Sequence, residues 1–220
     1  MRKKKKMIQK KKDYVQAHYD KIGSNYDSKV NLVFLGLDRI YRKKAINKLN
    51  LKEGDTVLEL GCGTGVNFEY IMKKIGPKGK IIGVDISLSM LEVAKKRKEK
   101  KKWNNIELIQ QDITKLKLNQ KVDAIFTMFV MSLVKGYKDA VRIASTYLKK
   151  GGSFVMLDGK EPKGYGKMFF PIAKYVGRKF SNVDRDFKKE LWIVLMKSLN
   201  NVDMTEHALG MVFIAKAIKS

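Results

Sequence analysis

The sequence predicts an α/β fold built on a mostly parallel sheet, and three observations carry that prediction. Short apolar runs alternate with helical patterns from Val57 to Ala217, as repeated βαβ units require. The first run leads into Gly61-Cys62-Gly63-Thr64-Gly65, with glycine at every second position, which suits a very tight turn from a buried strand into a helix. The last two runs are joined by a short turn with no helix between them, the pattern of a terminal hairpin.

The elements follow in order. A first strand is expected at about 56–60 and a helix at about 66–75, stopped by Gly76-Pro77, a helix-end signal. The second strand is Lys80-Ile81-Ile82-Gly83-Val84-Asp85. The next helix opens at Ser87 as N-cap, turns Met90, Leu91 and Ala94 inward, and ends in the solvated run Lys95 to Lys102. A third strand covers about 106–109 and a fourth Val122 to Thr127, where Asp123 is expected to fix a loop. A helix at roughly 137–149 closes on Lys149-Lys150-Gly151-Gly152, and a fifth strand follows at 153–157. Residues 159–182 break the rhythm with Gly, Lys and aromatics: Tyr165, Phe169, Phe170, Tyr175 and Phe180. A helix near 184–199 and strands at about 201–207 and 211–217 finish the chain. Residues 1–50 read as amphipathic helix in pieces, a basic arm and lid ahead of a single domain at 51–220.

Composition narrows the function. A chain of 220 residues, 44% hydrophobic, has enough apolar material for one sizeable core. No apolar run approaches the roughly 20 residues of a spanning helix. The basic N-terminus is not followed by the apolar stretch of a secretory signal. The lone Cys62 excludes an internal disulfide and a Cys-based zinc site and is compatible with a reducing cytoplasm. No metal is expected. The net charge is +25. Eight of the first twelve residues are basic, and the excess is carried by 40 Lys against 7 Arg. Sites that read phosphate geometry favour arginine's planar fork, so the charge reads first as solvation, and second as attraction to an anionic membrane or RNA.

The glycine spacing also discriminates. A dinucleotide loop reads G-x-G-x-x-G, whereas here the third glycine arrives one residue early and Val66 stands where that pattern needs Gly. Backbone N–H groups opening the next helix would face a ligand. Asp85 follows Gly61 by 24 residues, near the offset at which a carboxylate meets a ribose diol, about 20 residues on.

The run Glu59-Leu60-Gly61-Cys62-Gly63-Thr64-Gly65 resembles motif I of the class I S-adenosylmethionine (SAM) methyltransferases. The likeness covers about 45–157 and includes Asp85, Gln111-Asp112-Ile113 and Gly151-Gly152 in the family's order. It implies a three-layer, Rossmann-like, seven-stranded sheet whose last strand inserts antiparallel. It also implies SAM as cofactor and S-adenosylhomocysteine as its product. Gly61, Gly63 and Gly65 would admit the methionine carboxylate, and Glu59 would take the ammonium, often through the loop. Asp85 would hold the ribose, Ile86 one adenine face, and Asp112 the adenine amino group. Cys62, Met90, Ile113 and Thr127 complete the expected cofactor lining. No residue is assigned the chemical step, because methyl transfer needs alignment more than acid or base.

Absences and lesser likenesses shape the acceptor. Thr127-Met128-Phe129-Val130-Met131-Ser132-Leu133 lacks the Asp/Asn-Pro-Pro-aromatic stretch of enzymes that methylate base amines or glutamine amides. Cys62 lies in the cofactor loop, not where pyrimidine-C5 enzymes carry a nucleophile. The apolar stretch suits a hydrophobic acceptor. Tyr19-Asp20 and Tyr26-Asp27 resemble the lid segment of small-molecule and lipid-directed methyltransferases, which makes Tyr19 and Tyr26 lid candidates. Residues from Arg42 onward resemble the group of quinone, sterol and phospholipid-headgroup enzymes, although the arginine-containing signature of the quinone enzymes after the fourth strand is missing. Gly76 to Ser87 and Trp103-Asn104-Asn105-Ile106 are similar to phosphatidylethanolamine N-methyltransferases. The expected function is methyl transfer from SAM to a small or lipid-like acceptor, in the cytoplasm or at the inner membrane surface. The alternatives are an RNA methyltransferase and a SAM-binding protein without turnover.

Overall fold

The structure is a computed structural model that describes residues 13–21, 37–181 and 185–220, and for 176–181 the backbone only. Helix α1 spans 13–21 and α2 spans Leu37–Lys48. Then come β1 Thr56–Leu60, α3 Phe68–Ile75, β2 Lys80–Asp85, α4 Leu88–Lys100 and β3 Ile106–Gln110. A 3-10 turn at Ile113–Lys115 precedes β4 Val122–Met128, α5 Tyr137–Tyr147 and β5 Leu148–Gly159. The chain ends with α6 Gly166–Ser181, α7 Leu191–Ser198, β6 Asn200–His207 and β7 Val212–Ile218.

One seven-stranded sheet runs β3-β2-β1-β4-β5-β7-β6. The first five strands are parallel, and β7 is antiparallel to both β5 and β6. The expected inserted last strand is therefore present. The reason lies in side-chain alternation. In β1, Leu58 and Leu60 face the layer of α5 and α7, where Ala140, Val141, Ala144, Leu191 and Leu195 are buried. Val57 faces the other layer, with Ala45 and Ile46 of α2, Phe68 and Ile71 of α3, and Ala94 of α4. Strands apolar on both faces need helices on both, so three layers result.

Local signals held where they were local. Ser87 caps α4 by accepting the Met90 N–H at 3.3 Å, and Gly76 ends α3 with φ +64°. Asp123 accepts the Thr56 N–H at 2.9 Å and the Lys149 ammonium at 2.7 Å, which fixes the start of β1. Two stretches differ from expectation. Residues 159–182 contain the sixteen-residue α6 around Pro171, although their glycines, lysines and aromatics read as a break. The helix expected at 184–199 is confined to Leu191–Ser198. Its first part is drawn off as an irregular segment in which the Asp186 N–H bonds the Ser132 carbonyl and the Phe187 carbonyl accepts from Glu161.

In the sheet order, strands run outward from β1 to β2 and β3 on one side and from β4 to β5 on the other. Parallel sheets of this kind carry a crevice outside the carboxyl ends of their strands at the point of reversal. Packing is tight at Gly83 of β2, where an added Cβ would stand 2.9 Å from Phe68 Cζ, 3.0 Å from Cys62 Sγ and 3.2 Å from Leu108 Cδ2. Gly83→Ala should therefore cost about 1–3 kcal/mol by overpacking. Thermal unfolding should fall by roughly 2–4 °C per kcal/mol. The same substitution on a Phe68→Leu background should cost measurably less; equal costs on both backgrounds would show that the ring is not the obstacle.

Candidate functional site

The glycine turn occupies the crevice. Gly61, Gly63 and Gly65 have φ of +67°, +53° and +73°, a region that glycine enters without steric cost. A Cβ on Gly61 would strike Val130 and one on Gly65 would strike the Phe68 ring, both at 2.4 Å. At Gly63 nothing among the described residues lies within 4 Å of where a Cβ would stand, so this residue opens onto the crevice. The turn is held from behind: the N–H groups of Gly61 and Cys62 both donate to the Val84 carbonyl, at 2.7 and 3.1 Å. Arg97 of α4 donates to the Thr64 carbonyl at 2.9 Å, a support with no sequence signature.

Asp85, at the end of β2, joins the turn to α4. Its Oδ2 accepts the Gly63 N–H at 2.8 Å and its Oδ1 accepts the Ser87 N–H at 2.9 Å. Burial raises its pKa, opposed by hydrogen bonds from the Ser87, Gly63 and Ile86 N–H groups. A carboxylate offers about four acceptor sites, so capacity for a diol remains. The Asp85 carbonyl accepts the Gln111 N–H at 2.9 Å, which draws the end of β3 alongside. Asp112 there caps the 3-10 turn by accepting the Thr114 N–H at 3.0 Å. Ile86 is half-buried beside Asp85, while Met90 and Ile113 lie buried beneath it.

Glu59 is buried in a polar chain that the sequence did not reveal. Asn67 donates to Glu59 Oε1 at 2.5 Å, Arg42 donates to Asn67 Oδ1, and Arg42 also pairs with Asp38 at 3.1 Å. Burial pushes the Glu59 carboxyl up to about 8, against the Asn67 hydrogen bond and the Arg42 charge. Glu59 Oε2 and Thr127 Oγ1 are buried without a hydrogen-bond partner among the described residues. Thr127, one residue before the end of β4, pairs with Leu60 of β1. The Cys62 side chain points into the core rather than the crevice, and burial holds its thiol well above its ordinary value. Only the backbone of Cys62 belongs to the turn.

Helix α1 reaches the same place. Ser87 Oγ donates to Asp20 Oδ1 at 2.5 Å, and Ser89 Oγ donates to the Tyr19 carbonyl at 3.3 Å. The Tyr19 hydroxyl accepts a hydrogen bond from Arg185; burial raises its pKa and the Arg185 charge opposes the rise. Tyr26 lies outside the described residues. A crevice with an open glycine, a two-toothed carboxylate, two unpartnered buried oxygens and an overlying tyrosine fits a nucleoside bearing a charged amino-acid tail.

Glu59 yields a test. Its folded pKa is raised, so the folded state holds a proton that the unfolded state releases, and stability falls as pH rises between the two values. Unfolding followed from pH 5 to 8.5 should show the protein without cofactor losing stability relative to Glu59→Gln, on the order of 2 kcal/mol or 4–8 °C. A pH-independent difference would remove the buried proton from the account.

An open groove of about 840 Å³ lies elsewhere, along α5 and α7, lined by Lys138, Arg142, Lys188, Lys189, Lys197 and Lys219 with Glu190. It contains none of the expected site residues.

A family profile described as a methyltransferase domain matches residues 51–192. A demethylmenaquinone methyltransferase of Lactobacillus johnsonii is 32% identical over 181 residues, covering 77% of this chain and 72% of the relative. One from Staphylococcus carnosus is 27% identical over 177 residues, covering 77% and 73%. A solved phosphoethanolamine N-methyltransferase 2 of Haemonchus contortus, bound to S-adenosylhomocysteine, superposes with a TM-score of 0.73 at 13% identity, covering 93% of this chain and 60% of that one. With the glycine turn, the strand order and this match over more than half its length, the chain belongs to the class I SAM-dependent methyltransferases.

Proposed function

We propose that this enzyme transfers a methyl group from SAM to a small, lipid-like acceptor of the quinone kind, by direct in-line displacement. The observation that carries the acceptor class is the wall opposite the glycine turn. Met128, Phe129 and Val130 are half-buried at the end of β4, and Val130 sits against Gly61. A flat apolar ring suits such a wall better than a charged or polar acceptor. The names of the two relatives, demethylmenaquinone methyltransferases, support the same class.

When bound, SAM supplies an electrophilic methyl on sulfur, and the protein's part is alignment and exclusion of water. Gly61, Gly63 and Gly65 leave room for the methionine carboxylate at the backbone N–H groups. Glu59, oriented by Asn67, would balance the ammonium across the loop and lose its proton as that charge arrives. Asp85 holds the ribose diol. Asp112, Ile86, Met90 and Ile113 frame the adenine, and Cys62 and Thr127 floor the turn. The described helix α1 of the N-terminal arm would serve as the lid, with Tyr19 over the crevice. The reacting atom is delivered by the acceptor itself.

The enzyme would collect such an acceptor at an anionic bilayer. On α6 and its approach, Tyr165, Met168, Ile172 and Tyr175 are exposed at helical spacing, with Lys163, Lys167 and Lys174 around them. Apolar side chains can enter the interface while lysines remain at the headgroups. No helix among the described residues is long and apolar enough to cross a membrane.

Radiolabelled SAM with reduced prenylated naphthoquinones should label the lipid fraction and leave RNA unlabelled; label in RNA instead would overturn the acceptor class. Replacing Tyr165, Met168 and Ile172 together by Ser should abolish co-sedimentation with anionic vesicles and leave SAM affinity unchanged. Undiminished sedimentation of that variant would remove the membrane role of α6.

A further inference from the structure

The acceptor side of the crevice holds a charged assembly that the cofactor does not explain. Arg185 stands on the segment between α6 and α7. Its Nη1 donates to the Phe129 carbonyl at 2.5 Å and to Ser132 Oγ at 3.1 Å. The guanidinium lies 5.9 Å from the centroid of the Phe129 ring, and it hydrogen-bonds the Tyr19 hydroxyl. One arginine thus touches the lid and the loop after β4, 53 residues away from Ser132 in sequence.

The placement is built rather than incidental. Phe129 takes φ +56°, a costly conformation for a bulky residue that persists only where its surroundings enforce it. Here it turns the Phe129 carbonyl to the guanidinium. The segment around Arg185 is pinned at three neighbours. The Asp186 N–H donates to the Ser132 carbonyl at 3.2 Å. The Phe187 ring fills the space in front of Gly159, 2.5 Å from where a Cβ would stand. Lys189 donates to the carbonyls of Ser132 and Val134 at 3.0 and 3.1 Å. Behind Ser132 is Asp158, fully buried. It accepts the Ser132 N–H at 3.0 Å and the Gly159 N–H at 2.8 Å; burial raises its pKa and the Arg185 charge opposes the rise.

A guanidinium has five N–H donors in a rigid fork. Three hydrogen bonds to the described residues leave part of that fork available beside the crevice. A buried-edge cation next to an apolar wall favours an acceptor that is flat and carries a negatively charged oxygen. Loss of a hydroxyl proton to solvent makes such an acceptor the better nucleophile, and a fixed positive group stabilises that ionised form.

We propose that Arg185 is the acceptor-binding residue of this enzyme, taking an anionic oxygen of a ring whose flat face lies on Phe129, with Ser132, Asp158 and Tyr19 as its positioning residues. This rests on the quinone-like acceptor proposed above. The test is binding of two probes to the full chain saturated with S-adenosylhomocysteine: 2-hydroxy-1,4-naphthoquinone, an anion at neutral pH, and its neutral 2-methoxy ether. The wild type should prefer the anion by about ten-fold or more, the size of one charge-assisted contact. Arg185→Gln should bind both alike, and Arg185→Lys, which keeps the charge but not the fork, should retain a preference reduced several-fold. S-adenosylhomocysteine affinity, measured in parallel by calorimetry, should be unchanged in both variants. An undiminished preference for the anion in either variant would overturn the role of Arg185 alone. Failure of the wild type to bind either probe would overturn the acceptor class and the inference with it.

Discussion

The site hangs on one carboxylate. Asp85 holds the N–H of Gly63 with one oxygen and that of Ser87 with the other, so a single side chain sets the glycine turn, the end of β2 and the start of α4 relative to one another. Hydrogen bonds to a charged acceptor contribute about 1.5–3 kcal/mol each, which offsets the burial that raises its pKa. A fourth element follows through Ser87, whose hydroxyl reaches Asp20 on α1. Without Asp85 the turn would keep its glycines and lose its direction. That dependence explains how a residue expected to meet the ribose can also be structural: its oxygens have capacity for both tasks.

A second constraint works from the other side of β1. The chain Asp38–Arg42–Asn67–Glu59 carries a buried charge from α2 to the strand that feeds the turn. A carboxylate so deep is held protonated near neutral pH unless a cation arrives, and its unpartnered oxygen, Glu59 Oε2, marks where electrostatic demand is unmet. Burial and a positively charged ligand act on Glu59 in opposite directions. With Glu59 in the role proposed above, binding would couple to its proton and, through Asn67 and Arg42, to the seating of α2. The N-terminal helices are thus tied to the cofactor turn at two places, α1 by Asp20 and α2 by Arg42.

What could be read from the chain was what is encoded locally. The strand ends, the glycine turn, the Ser87 cap and the acidic residues after β2 and β3 all lie within a few positions of the signals that announce them. Phase alternation along β1 sufficed to place helices on both faces. What escaped was long-range or ambiguous in composition. Arg42 and Asn67 are 25 residues apart, and neither stands in a patterned run. Arg97 reads as one more cation in a lysine-rich helix end, yet it supports Thr64. Helix α6 was hidden because Gly164 precedes it, Gly166 opens it and Pro171 stands inside it, where proline removes a backbone bond and ordinarily argues against a helix. The helix expected from residue 184 shrank because the segment Arg185 to Glu190 finds stronger partners in the loop after β4 than in its own backbone.

The two halves of the crevice therefore differ in kind. The cofactor half is made from contiguous strand-to-helix turns, and any chain that keeps those turns keeps the half. The acceptor half is convergent: α1, the loop after β4, the end of β5 and the segment before α7 each contribute one or two residues to a cluster around Arg185. Such a cluster can change composition without disturbing the sheet, since its members sit on connections and not on buried strand positions. Asp158 is the exception, because it is both the buried end of β5 and the counter-charge to Arg185. A change there would leave a buried guanidinium-facing gap and unpin Ser132 at once. On the proposed role of Arg185, acceptor choice in this chain would be anchored at one rigid point, Asp158, and free to vary at the others, which is the arrangement expected where one cofactor chemistry serves many acceptors.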